Sequence, residues 1–292
     1  MEEVVSRQFC REDFEDVCEF LIRISNKTEQ YINWNWARWQ WMYFHPDFDE
    51  SQEDKIKLWF ANNQIIGIAV YDFYAGESSF IVDPEYQELE VEMIQYSIDN
   101  FSDGDGLGIA INDEAVETVE KMLNLGFEKH ENTENILCID LEKSDLSYQL
   151  GEEYLVSNIE GLIDAWNYNR VLWYGMDHEG EVIENDETYN NTIKMLSAAN
   201  IDYKLNVCIK SGDQWIAFCG CHYNKNTDYA YVEPVCTIPE YRGKGIGSIV
   251  VKEALNRCKE MGAKKAYVIS DNKFYETLGF KQHSHYTFYW KK

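Results

Sequence analysis

Proline is scarce in this chain, with 4 in 292 residues, and glycine numbers only 17. Neither fits a collagen-like or low-complexity protein, and 45% hydrophobic with 15% aromatic residues excludes intrinsic disorder. Basic residues are also few. Lys and Arg total 26 against 52 Asp and Glu, a formal charge of −26. General binding to nucleic acid or to anionic membrane needs basic surface, so neither is expected as a partner. Long apolar runs are missing, and no membrane span is expected. The acidic opening Met1-Glu2-Glu3 predicts no secretory leader. Most of the 8 cysteines stand singly in apolar stretches, as reduced thiols in a cytoplasmic protein do. Cys219-Gly220-Cys221-His222 has no second pair at ligand spacing. It is read as strand, and no metal is expected.

Charge is uneven along the chain. Residues 1–150 hold 10 basic and 33 acidic side chains; residues 151–292 hold 16 and 19. The later basic residues gather after Arg242, where an anionic ligand should bind. The halves also repeat each other. VDPEYQ at 82–87 answers TIPEYR at 237–242, and LNLGFEK at 123–129 answers YETLGFKQ at 275–282. NNQIIGIAVY at 62–71 answers GDQWIAFCGCHY at 212–223. Three matches in one order at nearly one offset indicate a duplicated α/β (α+β) domain, with boundaries expected at 1–145 and 151–292.

Each half predicts one series of elements: a strand (5–10; 154–159), helices (13–24 and 31–45; 161–174 and 187–199) and a hairpin turning at 62–63 or 211–213. A strand then leads into the Pro-Glu-Tyr turn and a helix. Another strand (106–112; 264–270), a helix ending in Leu-Gly-Phe and a closing strand complete the series. Gly126 and Gly279 suit the left-handed position just past a helix end. The four tryptophans at 34, 36, 39 and 41 read as packing rather than a ligand box.

Arg242-Gly243-Lys244-Gly245-Ile246-Gly247-Ser248 stands between a strand and a helix. Helix N-terminal amides next to glycines form an anion site. The loop lacks the Gly-Lys-Ser/Thr ending of a P-loop and the third glycine of a dinucleotide fingerprint. With EPVCTIPEY before it and DNKFYETLGF after it, it resembles the acyl-CoA loop and second cofactor segment of GNAT-superfamily N-acetyltransferases. The two-copy layout resembles tandem-GNAT proteins.

That resemblance implies two tandem GNAT-like domains, each a mixed, mainly antiparallel sheet flanked by helices. It implies two parallel strands that splay apart at 229–238 and 264–270. Acetyl-CoA would be the co-substrate. Its pantetheine arm would pair with main-chain groups near Val235, Cys236 and Thr237, and its pyrophosphate with amides from Arg242 through Gly243, Lys244, Gly245, Ile246 and Gly247 to Ser248. Asn272 would be a minor cofactor contact. Tyr275 matches the family's acid tyrosine, a packed ring being the alternative. Glu233 is the base or a structural carboxylate. Asp177 and Glu179 would recognise a cationic amine or belong to a solvated loop. The expected function is N-acetyl transfer to a small-molecule or peptide primary amine, within a monomer or homo-oligomer. The rival readings are an acyl-CoA sensor or partner-binding module of the same fold, and transfer of another acyl group or to a hydroxyl. In the first half, Glu88, Glu90 and Glu92 fall on Gly243, Gly245 and Gly247, so that copy is expected not to bind CoA.

Overall fold

The computed structural model describes residues 3–28 and 33–292. The chain forms two compact units, Met1–Ile136 with His283–Lys292, and Leu137–Gln282. No helix among the described residues is long and apolar enough to cross a membrane.

Unit 1 runs β1 (Val4–Gln8), α1 (Phe14–Thr28), α2 (Trp36–Phe44), β2 (Lys57–Ala61), β3 (Gln64–Asp72) and β4 (Tyr74–Val82). It continues with α3 (Glu90–Phe101), β5 (Leu107–Asn112), α4 (Val116–Asn124) and the first part of β6 (Glu128–Asp140). The expected helix over 31–45 begins outside the described residues; its described part starts at Trp36, where the Asn35 side chain accepts from the amides of Ala37 and Arg38. Asn62 and Asn63, both at positive φ, turn β2 into β3. Trp34, Trp36 and Trp39 are buried; Trp39 stacks on Phe14 at 5.5 Å and meets Phe9 edge-on at the same distance.

Unit 2 contains β7 (Tyr154–Asn158), α5 (Ala165–Gly175), α6 (Asp186–Leu196), β8 (Asn206–Ser211), β9 (Gln214–Tyr223) and β10 (Tyr229–Thr237). Then come α7 (Ile246–Met261), β11 (Lys265–Ile269), the short α8 (Phe274–Thr277) and the start of β12 (Lys281–Lys291). The Cys-Gly-Cys-His segment lies in β9, with Cys219 and Cys221 buried. Gly279, at φ 98°, closes α8 in the left-handed region, as Gly126 does after α4 at φ 88°. Val250, Ala254, Leu255 and Cys258 of α7 are fully buried against the sheet, the stripe expected from their spacing.

Strand order differs from chain order at the last strand of each unit. In unit 1 the order is β1-β2-β3-β4-β5-β12; in unit 2 it is β6-β11-β10-β9-β8-β7. The strand beside β5 is therefore β12, running antiparallel from Tyr286↔Asn112 to Lys291↔Leu107. His285 Nδ1 lies 2.7 Å from Asp113 Oδ2 there, a partner not evident from the sequence. The compact units differ from the repeat boundaries expected at 1–145 and 151–292: unit 1 includes residues 283–292, and unit 2 starts at Leu137. The physical reason is that each sheet is completed by a strand encoded at the end of the other repeat.

Candidate active site

Two parallel neighbours, β10 and β11, pair at Tyr229↔Lys265, Ala230↔Ala266 and Tyr231↔Tyr267, then part. On its other edge β10 stays with β9, but the register slips between Val232 and Val235. This bulge sits at the strand separation. Beyond it, the Ile238 amide donates to the Ile216 carbonyl at 3.0 Å. Antiparallel alternation then gives Cys236 the backbone bonds to Phe218, and turns the backbone groups of Val235 and Thr237 toward the gap. Of the three residues expected to pair with a pantetheine arm, Val235 and Thr237 thus turn their backbone groups to the gap, and Cys236 turns its own to β9. Its thiol bonds the Val171 carbonyl, and burial pushes its pKa up to about 12, so it is no nucleophile near neutral pH.

The glycine loop follows. Gly243 (φ 72°) and Gly245 (φ 82°) are both left-handed, and a Cβ at either would meet open space. Conformation, not crowding, requires them to be glycine. Gly247 is different: a Cβ there would come within 3.1 Å of Thr237 Oγ1, so its absence lets the helix start close to the end of β10. No side chain caps α7, and its first turn carries no acid. By helix geometry the amides of Ile246, Gly247 and Ser248 have no intrahelical partner, and the positive end of the helix dipole is uncovered. Lys244 sits over the Tyr241 ring at 4.7 Å.

Arg242 acts as a strut within this frame. Its guanidinium donates to the Thr237 carbonyl (2.8 Å), the Gly175 carbonyl (2.9 Å) and Asp177 (2.9 Å). Asp177, expected as an amine-recognising carboxylate, is therefore engaged by Arg242, in a backbone turned to φ 60°. Glu179 lies on the exposed loop beyond it. Asn272 accepts from the Phe274 amide on its side-chain oxygen (2.9 Å), an Asx-type turn just before α8.

Tyr275 stands in that short helix, 8% exposed, between Phe274 and Phe280 at 5.2 and 5.5 Å. Burial raises its hydroxyl pKa far above the usual value, and charge on Cys219 and Glu233 adds to the shift. The hydroxyl stays protonated at neutral pH. Glu233, inside the bulge, accepts a hydrogen bond from the Tyr231 hydroxyl. The buried Tyr168 of α5 also feels its charge. His222, half-buried opposite Tyr231, is held neutral by burial, with its pKa lowered to about 4. Tyr168 and His222 carry no sequence signal of their own.

Residues 164–280 match the acetyltransferase (GNAT) family, and this stretch holds the parted strands, the glycine loop and Tyr275. A curated relative, the uncharacterized N-acetyltransferase CgeE of Bacillus subtilis strain 168, is 28% identical over 162 residues, spanning 51% of this chain and 59% of the relative. A tandem GNAT protein from the clavulanic acid biosynthesis pathway superposes with TM-score 0.66 at 11% identity, covering 99% of this chain and 98% of that one. A GCN5-related N-acetyltransferase from Sphaerobacter thermophilus gives 0.63 at 11% identity, covering 99% and 95%. Both units have the GNAT fold, while the GNAT family match lies in the second half.

Proposed function

We propose that this protein is an acetyl-CoA-dependent N-acetyltransferase whose chemistry takes place in unit 2, with a primary amine as acceptor. The observation that carries the reading is the uncovered start of α7 beside the parted β10 and β11, with Val235 and Thr237 turned into the gap. These residues fit a ligand with an amide-bearing arm and a diphosphate. Acetyl-CoA, when bound, supplies the acetyl group as a thioester. Val235 and Thr237 orient the arm, and the amides from Gly243 to Ser248 hold the diphosphate. Arg242 supports the loop through Thr237, Gly175 and Asp177. Glu233 takes the proton that the attacking amine must lose, and Tyr275 gives one to the departing thiolate. The thiol of Cys236 stays protonated and bonded to Val171, which favours direct transfer over an acyl-cysteine route.

The test is release of CoA thiol from acetyl-CoA by the full chain against a panel of primary amines and their alcohol analogues. Amines should support turnover and alcohols should not; absence of turnover with CoA still bound would leave a sensor. Alkylamines titrate near pH 10, so at neutral pH most must shed a proton. Glu233→Gln should lower turnover about 10-fold or more below pH 8 and recover part of it at higher pH. An unchanged pH–rate profile would make Glu233 structural.

A further inference from the structure

Unit 1 repeats the parting of strands without the glycine loop. Its parallel neighbours β4 and β5 pair only at Glu77↔Gly108 and Ser78↔Ile109. Beyond these lies a cavity of about 240 Å³ between residues 79–82 and 109–112. The Asp83 amide donates to the Ile66 carbonyl at 2.7 Å, opposite a regular β3–β4 register. The same alternation that applies in unit 2 turns the backbone groups of Phe80 and Val82 into this cavity. They correspond to Val235 and Thr237 at the 155-residue offset that aligns Pro84 with Pro239. Trp34 forms part of the wall; it is 1% exposed, and its indole N–H has no hydrogen-bond partner.

The far end of the cavity differs. Gln87 and Glu90 line it. Glu90 is right-handed helical where Gly245 is left-handed, and its carboxylate takes bonds from Thr118 and Lys121. Acids stand in the first turn of α3. Unit 1 holds 11 basic and 30 acidic side chains, a net charge of −19. A diphosphate would meet carboxylates rather than amides. We propose that the unit 1 cavity is a second ligand site, for an extended, amide-bearing chain that carries no phosphate. Phe80 and Val82 would pair with its amides, about 6.7 Å apart along the strand.

Site-resolved amide NMR on the full chain tests this, with pantetheine as the neutral diamide probe and CoA as the anionic one. Pantetheine, raised to about 10 mM so that a millimolar ligand saturates, should shift the Phe80 and Val82 resonances saturably. CoA should leave those two in place. Ala110→Trp, which fills the cavity from β5, should abolish the pantetheine shifts at Phe80 and Val82; Ser79→Phe is the second variant if the first misfolds. No pantetheine shift at Phe80 and Val82, equal shifts by CoA, or shifts that survive a folded cavity-filled variant would each overturn the proposal. The response of Gly243 to Ser248 to CoA reports separately on unit 2, so failure of that reading leaves the unit 1 result standing.

Discussion

After Pro239 the chain passes through two left-handed glycines and enters α7 with its first amides uncovered. After Pro84 it winds from a short 3-10 turn into α3 without a left-handed residue, and carboxylates occupy the helix start. The turn at Pro84 is tied by side chains. Asp83, 2% exposed, accepts from Arg23 and Lys27, each at 2.7 Å, and from the Glu85 amide. Burial alone would push the Asp83 carboxyl up, but the bonds from Lys27, the Glu85 amide and Arg23 hold it below the usual range. Ile238 occupies the matching position in unit 2. The parting of parallel strands is thus a property of the fold, present in both copies. Left-handed glycines and uncovered helix amides are a property of a few residues, present in one. A duplicated domain can lose the second while keeping the first.

The largest effect that would break this contrast is expected at Gly245. Gly245→Glu forces a side chain into a backbone at φ 82° and places a carboxylate where the diphosphate must approach. CoA affinity should fall at least about 10³-fold in calorimetry, which is roughly 4 kcal/mol. The unvaried chain should bind one CoA; two equivalent sites would erase the distinction between the units.

A smaller loss is expected at Tyr275. Tyr275→Phe keeps the buried ring and removes the proton, so turnover should drop by roughly 10²-fold with CoA affinity little changed. Equal losses in affinity and turnover would indicate that the ring shapes the cofactor gap instead.

The smallest sharpens the comparison from the other side. Asp83→Asn loosens the ion-paired turn of unit 1 and should cost roughly 2 kcal/mol of stability in chemical denaturation, because it leaves Arg23 and Lys27 without their shared anion. CoA affinity should not move. A matching loss of affinity would mean that the two turns are not independent.

Much of this was legible in the residues. The repeat, the hairpins, the glycine loop and the left-handed helix ends all depend on local chemistry, and local chemistry is written in order. Gly243 and Gly245 are needed for their φ, and their spacing indicated the loop together with the segments before and after it. Strand exchange was not legible. β6 and β12 both close a repeat with alternating residues, and alternation fits either sheet equally well. The role of Arg242 was hidden for a related reason: its bonds reach Gly175 and Asp177, more than 60 residues away. Asp177 was read as available because nothing adjacent to it in sequence claims it. Cys236 was grouped with its neighbours because only the hydrogen-bond phase of β10 against β9 separates it from Val235 and Thr237.

The assignment of residues 283–292 to unit 1 has a consequence for how the protein is made. A ribosome adds about 5–20 residues per second, and Leu137–Gln282 is roughly 150 residues long, so the strand beside β5 emerges roughly 7–30 s after Ile136. During that interval β5 is a bare edge, able to pair with another nascent chain. The half that is translated first therefore finishes folding last.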